Sequence, residues 1–368
     1  MEVISTISIK KPNGVGNIQL LQGDLSSVPE EFKADILVVS AFPNQYQPLD
    51  GTLIGSLAAK GLSVAHLAEN KETDLRAQLG CWLSKPLDAD LQKQLHFKRV
   101  LCFEPLSQSS APHEIVGNVF RCINTFAFDG EHNIVAMPVL AAGNQKVPMQ
   151  KMLPALVEAA IFWLKQGLPL NCIRLVIFNK ENVDAAQVVF QEIKETESRI
   201  SKAQVETDPD TKIEVKASRG AGMLSEKNDD AQNKNYSYDF FVSYAHSHTS
   251  LVNDFVRTLL EKHTTLKIFY DRESIPPGGL WLKQISDAIA DAKKVLIFLS
   301  PDYSVSPVCW DEFQCAKLVE YNNQRQMIQT IYLYNDKAMP PIMGIHSWID
   351  CREGDVQKLN DSILQIVK

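Results

Sequence analysis

Glu312 is the acidic side chain of this chain best placed for chemistry. It lies early in the helical stretch PVCWDEFQCAKL. Three apolar runs precede that stretch, and each ends in polar residues: YDFFVSYAHS at 238–247, IFYDRESIPPGG at 268–279 and VLIFLSPDYS at 295–304. In open α/β sheets, ligands bind beyond the carboxyl ends of the strands. The three runs therefore predict one cleft, with Glu312 as its carboxylate. Ser243 and Tyr244 close the first run, and Arg272 and Trp281 flank the second. Other chemistries find less support. His246 and His248 have no companions to complete a ligand set, so no metal site is expected. Ser243 has no evident base and acid partner for hydrolase work. The sequence has neither a GxxxxGK(S/T) nor a GxGxxG phosphate loop.

The elements that must hold these residues alternate in kind. Phe240–Tyr244, Leu266–Tyr270, Val295–Leu299 and Ile328–Leu333 are short apolar runs suited to buried strands, with a further short strand at Trp348–Ile349. Between them, Leu251, Phe255 and Leu259 mark one helical face, Trp281, Ile285 and Ile289 another, and helices are expected near 309–321 and from Val356. This predicts a doubly wound parallel sheet over 236–368. Residues 196–235 carry few large apolar groups and many charges, so they are predicted to be a linker, with one short strand at Lys212–Val215. Residues 1–195 form a second unit. Its expected strands are Ile18–Gln22, Ile36–Ser40, Arg99–Phe103, Ile134–Pro138 and Leu175–Phe178, with helices near 52–69, 112–127 and 150–166, giving an α/β domain with a mixed sheet.

Bulk composition narrows the function classes. The chain has 368 residues, 45% hydrophobic and 22% charged, with a net charge of −7. An acidic surface argues against nucleic acid as a partner. The seven cysteines are scattered without a C-x-x-C pair, as expected of reduced thiols in the cytoplasm. The start MEVISTISIKK lacks the pattern of a signal peptide, and no apolar run nears the ~18–20 residues of a membrane span. A cytoplasmic protein without membrane partners is expected.

The second half resembles the TIR domain family over about 235–368. Tyr238-Asp239-Phe240-Phe241-Val242-Ser243-Tyr244 matches the family's first box, and Arg272, Glu273, Pro276, Pro277 and Gly278 match its second. Ser306, Cys309, Asp311, Glu312 and Phe313 match the helix motif, with Val308 where the family usually has tryptophan, and Trp348-Ile349-Asp350 matches a late strand. The resemblance implies a flavodoxin-like fold. The family includes signalling adaptors and enzymes that cleave NAD+. In the enzymes the helix glutamate is catalytic, which implies that role for Glu312. Ser243, Tyr244, Arg272 and Trp281 then become candidate substrate contacts. Ile275, Pro276, Pro277 and Gly278 become a loop through which TIR domains associate.

The first half resembles a macro domain, the fold that binds ADP-ribose. Gly23 and Asp24 match its GD motif, whose Asp contacts adenine. Ser40 and Asn44 stand at the ribose strand end, Gly51 and Gly55 in the phosphate loop, and Pro138, Ala141, Ala142, Gly143 and Asn144 in the second loop. The ligand set implied is Asp24, Ser40, Asn44, Gly143 and Asn144, for an ADP-ribose-like nucleotide. Small residues suit this, because they let main-chain N–H groups approach a pyrophosphate. The alternative for this unit is a scaffold for assembly. Together the resemblances imply an NAD+ glycohydrolase effector of innate immune or anti-phage defence, gated through the first domain and by TIR self-association, with NAD+ as substrate and no other cofactor. A non-enzymatic TIR adaptor and a TIR cyclase making a cyclic ADP-ribose signal are the alternatives.

Overall fold

The computed structural model describes all residues except 105–111, 128–132, 141–147, 207–235, 271–280, 335–338, 345, 347 and 368. The expected strand at Lys212–Val215 lies outside the described residues. In the N-terminal unit the strands are β1 (Glu2–Lys11), β2 (Gly14–Gln22), β3 (Ala34–Ser40), β4 (Lys71–Leu75), β5 (Cys81–Ser84), β6 (Phe97–Phe103), β7 (Ile134–Pro138) and β8 (Cys172–Ile177). The helices are α1 (Leu53–Ala59), α2 (Val64–Glu69), α3 (Arg76–Leu79), α4 (Ala89–Leu95), α5 (Pro112–Phe126), α6 (Met149–Lys165) and α7 (Val183–Glu206).

These strands make one mixed sheet in the order β1-β2-β8-β7-β3-β6-β5-β4. Its centre, β2-β8-β7-β3-β6, is parallel, and antiparallel strands close both edges. β8 is buried along its whole length and β3 nearly so, as strands covered by helices on both faces must be. The antiparallel strands β1, β4 and β5 add to the five strands expected from sequence. β4 (KETDL) is polar and mostly solvent-facing, which hides it from a reading based on apolar runs.

The C-terminal unit has β9 (Tyr238–Tyr244), β10 (Ile268–Phe269), β11 (Ala292–Leu299), β12 (Ile328–Tyr332) and β13 (Trp348–Asp350). Its helices are α8 (Thr249–Lys262), α9 (Trp281–Ala290), α10 (Pro301–Val305), α11 (Pro307–Asn323), α12 (Pro341–Gly344) and α13 (Val356–Ile366). All pairings in the order β10-β9-β11-β12-β13 are parallel, as predicted. The second strand is only two residues long, because its paired segment ends at Phe269.

The expected linker from 196 begins inside α7, which runs to Glu206. The reason is local: EIKETESRISKAQVE is rich in good helix formers even though it is poor in core residues. Phe190 is buried, Ile193 packs on the core, and Lys165 Nζ bridges Glu197 Oε2 at 2.5 Å, fixing α7 against α6.

One hydrophobic core crosses between the two units. It joins Ile115, Val119 and Ile123 of α5 to Trp310, Phe313 and Ala316 of α11. A second core fills the α1–α2 face of the N-terminal sheet. A third lies between the C-terminal sheet and α8 and α13.

Candidate functional site

Strand alternation decides which first-box residues meet Glu312. Successive side chains on β9 point to opposite faces. Phe241 faces the α11 side, whereas Phe240, Val242 and Tyr244 join the core under α8 and α13. Ser243 shares the α11 side. Its Oγ donates to Glu312 Oε2 at 2.5 Å and pairs with Tyr303 Oη at 2.8 Å. Tyr303 Oη also reaches the Cys309 carbonyl at 3.2 Å.

The local sequence makes this arrangement. Ser300 caps α10, accepting from Tyr303 N at 3.2 Å, with Pro301 at the first helical position. Ser306 then caps α11 and Pro307 starts it, so the chain turns from the end of β11 into α11 within one short helix. Glu312 thus reaches the carboxyl end of β9 from the second turn of α11. It is fully buried, as are Ser243 and Tyr303. A buried carboxylate held by a hydroxyl can stabilise a cation formed beside it, because the surrounding dielectric is low.

The structure brings together Glu312 and Ser243, but not Tyr244. The Tyr244 side chain belongs to the opposite core, and its carbonyl accepts from Cys309 Sγ at 3.5 Å. Arg272, Ile275, Pro276, Pro277 and Gly278 lie outside the described residues. Trp281 opens α9. His248 stacks on Tyr334 at 5.3 Å, and no group of metal-binding side chains occurs among the described residues. Tyr303 is the member of the site that sequence reasoning missed. Its position in the S-P-D-Y cap after β11 was the available signal.

A second candidate site is a cavity of about 340 Å³ at the carboxyl ends of β3, β7 and β8. Asp24, Ser40, Thr52, Pro138, Val139 and Phe178 are among its lining residues. Asp24 Oδ1 accepts from Ser26 N at 2.8 Å, which shapes the turn after β2. Gly51 has φ +76°, and a Cβ on Gly55 would meet the Leu49 carbonyl at 2.1 Å, so this loop needs glycine at both places. The Phe178 ring is 72% exposed at the rim, available for stacking on a base.

Of the expected ligand residues, Asp24 and Ser40 line this cavity. Asn44 does not. Its Oδ1 accepts from Arg76 Nη1 at 2.6 Å and its N–H donates to Glu104 Oε2 at 3.0 Å, in a separate polar depression with Asp74. Glu104 organises that turn, also accepting from Tyr46 Oη at 2.5 Å and Trp82 Nε1 at 2.7 Å. Burial, and next the Glu104 carboxylate, push the Tyr46 phenol well above its ordinary range. Gly143 and Asn144 lie outside the described residues.

Residues 240–366 match the family model described as TIR domain. No curated protein matches the chain. Among solved structures, the chain is similar to an Oceanobacillus iheyensis macrodomain with ADP, at 12% identity and a TM-score of 0.38, covering 52% of this chain and 98% of that one. It is similar to a Trypanosoma brucei macrodomain in complex with ADP, at 16% identity and a TM-score of 0.37, covering 47% and 68%. It is also similar to the TIR domain of a Toll-related receptor from Hydra magnipapillata, at 20% identity and a TM-score of 0.27, covering 36% and 95%.

Proposed function

We propose that the chain, whose residues 240–366 form a TIR domain, cleaves the bond between nicotinamide and ribose in NAD+ with Glu312 as its catalytic carboxylate. The observation that carries this reading is the position of Glu312 at the carboxyl end of β9, hydrogen-bonded to Ser243 Oγ at 2.5 Å. In the reaction the C–N bond breaks and its electron pair leaves with neutral nicotinamide. The ribose is left with oxocarbenium character, which an adjacent carboxylate stabilises, as in glycoside hydrolysis. Water adds to that carbon and loses a proton, giving ADP-ribose. Ser243 orients the carboxylate, and Tyr303 holds Ser243. The N-terminal cavity, with Asp24 at one end and Phe178 at the rim, takes an ADP-ribose-like nucleotide and regulates the TIR domain. The expected setting is cytoplasmic innate immune or anti-phage defence, with TIR self-association through 275–278 completing the active assembly. Among the described residues no helix is long and apolar enough to cross a membrane, and all seven cysteines are buried thiols.

The non-enzymatic adaptor reading has one observation in its favour, the full burial of Glu312. A single assay separates the two. Purified protein is incubated with NAD+, with and without ADP-ribose and crowding agents, and nicotinamide is followed by chromatography. Wild type is expected to release nicotinamide under at least one assembly condition. Glu312→Ala and Glu312→Gln are each expected to lose about 100-fold or more, the scale of removing a group that stabilises transition-state charge. An inactive wild type under every condition, or variants as fast as wild type, refutes the enzymatic reading. Cyclic rather than linear product in the same chromatogram identifies a cyclase.

A further inference from the structure

The helix that carries Glu312 is buried on two opposite sides. Its apolar residues are spread around the whole circumference, the pattern of a helix packed on all faces. One side meets the TIR sheet. The other meets the N-terminal domain, where polar contacts join the apolar core shared by α5 and α11. Arg121 of α5 donates from Nε to Asp311 Oδ1 and from Nη2 to Asp311 Oδ2, both at 2.8 Å. Gln314 Nε2 donates to the Arg121 carbonyl at 2.6 Å and to Thr125 Oγ1 at 3.3 Å, while its Oε1 accepts from Asn124 Nδ2 at 3.2 Å. Asp311 and Gln314 are 5% and 0% exposed, so both are buried where this contact is made. Burial pushes the Asp311 carboxyl up, and Arg121 pulls it back.

A second grip lies where α6 ends. The Gln166 carbonyl accepts from Asn322 Nδ2 at 3.0 Å, near the far end of α11, and its side chain accepts from Ser286 of α9. Asn13 Nδ2 donates to Asn322 Oδ1 at 2.9 Å. Gly167, with φ +96°, makes room for this approach: a Cβ there would lie 1.9 Å from Asn322 Nδ2. The N-terminal domain therefore holds α11 near both ends and α9 beside it.

We propose that this contact is an autoinhibitory clamp, in which the N-terminal domain fixes α11 so that Glu312 stays sealed against Ser243, and that TIR activity requires its release. Three observations converge on it. Asp311 and Glu312 are consecutive, about 100° apart around the helix, so the ion pair on one side and the carboxylate on the other belong to the same turn and move as one. Glu312 has no exposed surface in the clamped arrangement, yet a carboxylate serving a ribose must meet it. Beside the shared apolar core, the side chains that fix the register of α11 on α5 are polar and charged, and a buried ion pair adds specificity of docking more than net stability.

The effect on turnover rests on the NAD+-cleavage reading, whereas the clamp itself does not, so the experiment reads both. Hydrogen exchange over residues 309–318 and nicotinamide release are measured on full-length wild type, Arg121→Glu, Gln314→Ala and the charge-swapped pair Arg121→Asp with Asp311→Arg. In Arg121→Glu, α11 amides are expected to exchange about tenfold faster or more, while β3 and β11 exchange as in wild type; this is well within what breaking a buried ion pair can shift. Gln314→Ala should show a smaller rise, and the charge swap should return towards wild type. Nicotinamide release should rise with exchange and vanish when Glu312→Gln is added to Arg121→Glu. Unchanged α11 exchange in the folded variants overturns the clamp. Faster exchange with slower turnover overturns its inhibitory sense. Faster exchange with no turnover in any variant supports the clamp and refutes the cleavage reading instead. Should Arg121→Glu fail to fold, Gln314→Ala and Asp311→Asn decide by the same readouts.

Discussion

Replacing Glu320 with glutamine tests how firmly α11 is moored at its carboxyl end. Glu320 Oε2 takes hydrogen bonds from His346 Nε2 and Lys317 Nζ, both at 3.0 Å. Its Oε1 accepts from the backbone N–H of Met327 at 3.0 Å and of Ile328 at 3.2 Å, just where β12 begins. Burial pushes this carboxyl up, but the four donors outweigh it and hold the pKa at about 2, against an ordinary 4.5. That gap corresponds to about 3 kcal/mol of stabilisation at neutral pH. The pKa is depressed on folding, so the contribution is complete above the unfolded value of 4.5 and is lost as pH falls through about 2. Linkage between those two values leaves about 1 kcal/mol at pH 3. Denaturant unfolding of wild type and Glu320→Gln, followed by tryptophan fluorescence, is expected to differ by about 3 kcal/mol at pH 7 and by about 1 kcal/mol at pH 3. An equal difference at the two pH values would refute the ionic account, and one below about 0.5 kcal/mol at pH 7 would remove the mooring altogether.

Two further expectations concern the N-terminal cavity. Asp24→Ala removes a charged acceptor, so ADP-ribose titrated calorimetrically should bind about 10- to 100-fold more weakly than to wild type; unchanged affinity, or no heat with the intact protein, refutes the ligand reading. Gly55→Ala places a methyl against the Leu49 carbonyl at 2.1 Å, and the loop that lines the cavity must shift. It should cost about 1–3 kcal/mol in thermal unfolding and weaken ADP-ribose together with stability, and a silent Gly55→Ala would contradict the close packing of that loop.

Most strands of both units are legible because each holds a short apolar run, such as Ile36–Val39 in β3, Leu175–Ile177 in β8, Phe240–Val242 in β9 and Val295–Leu299 in β11. Polar β4 escapes this reading, since an apolar count has nothing to register there, and the run expected as a strand at Leu266–Tyr270 pairs only over Ile268–Phe269. α7 extends past 196 on helix propensity, which a search for core residues does not weigh. Glu312 and Ser243 were legible as strand-end and helix-start positions. Tyr244 follows Ser243 at the end of β9, but one residue along a strand reverses the face, and its side chain belongs to the α8 and α13 core. Asn44 fell to tertiary competition: Arg76 and Glu104, distant in sequence, claim its side chain and backbone. Such pairings have no local spacing to reveal them.

α11 concentrates these lessons, because its sequence looks least like a helix with a purpose beyond packing. Apolar and polar residues alternate around it with no preferred face, and a helix read alone that way would be assigned to a single domain core. Its carboxylates divide the labour instead. Asp311 answers to Arg121 of the N-terminal domain, Glu312 to Ser243 of the first TIR strand, and Glu320 to His346 and the start of β12. A fold needing only a hydrophobic filler here could have used apolar residues at all three positions at similar or greater stability, since buried ion pairs rarely outperform well-packed hydrophobic replacements. Fixed polar pairing buys a defined position for α11 relative to two partners at once. That makes the helix the natural element through which the state of one domain is felt at the carboxylate of the other.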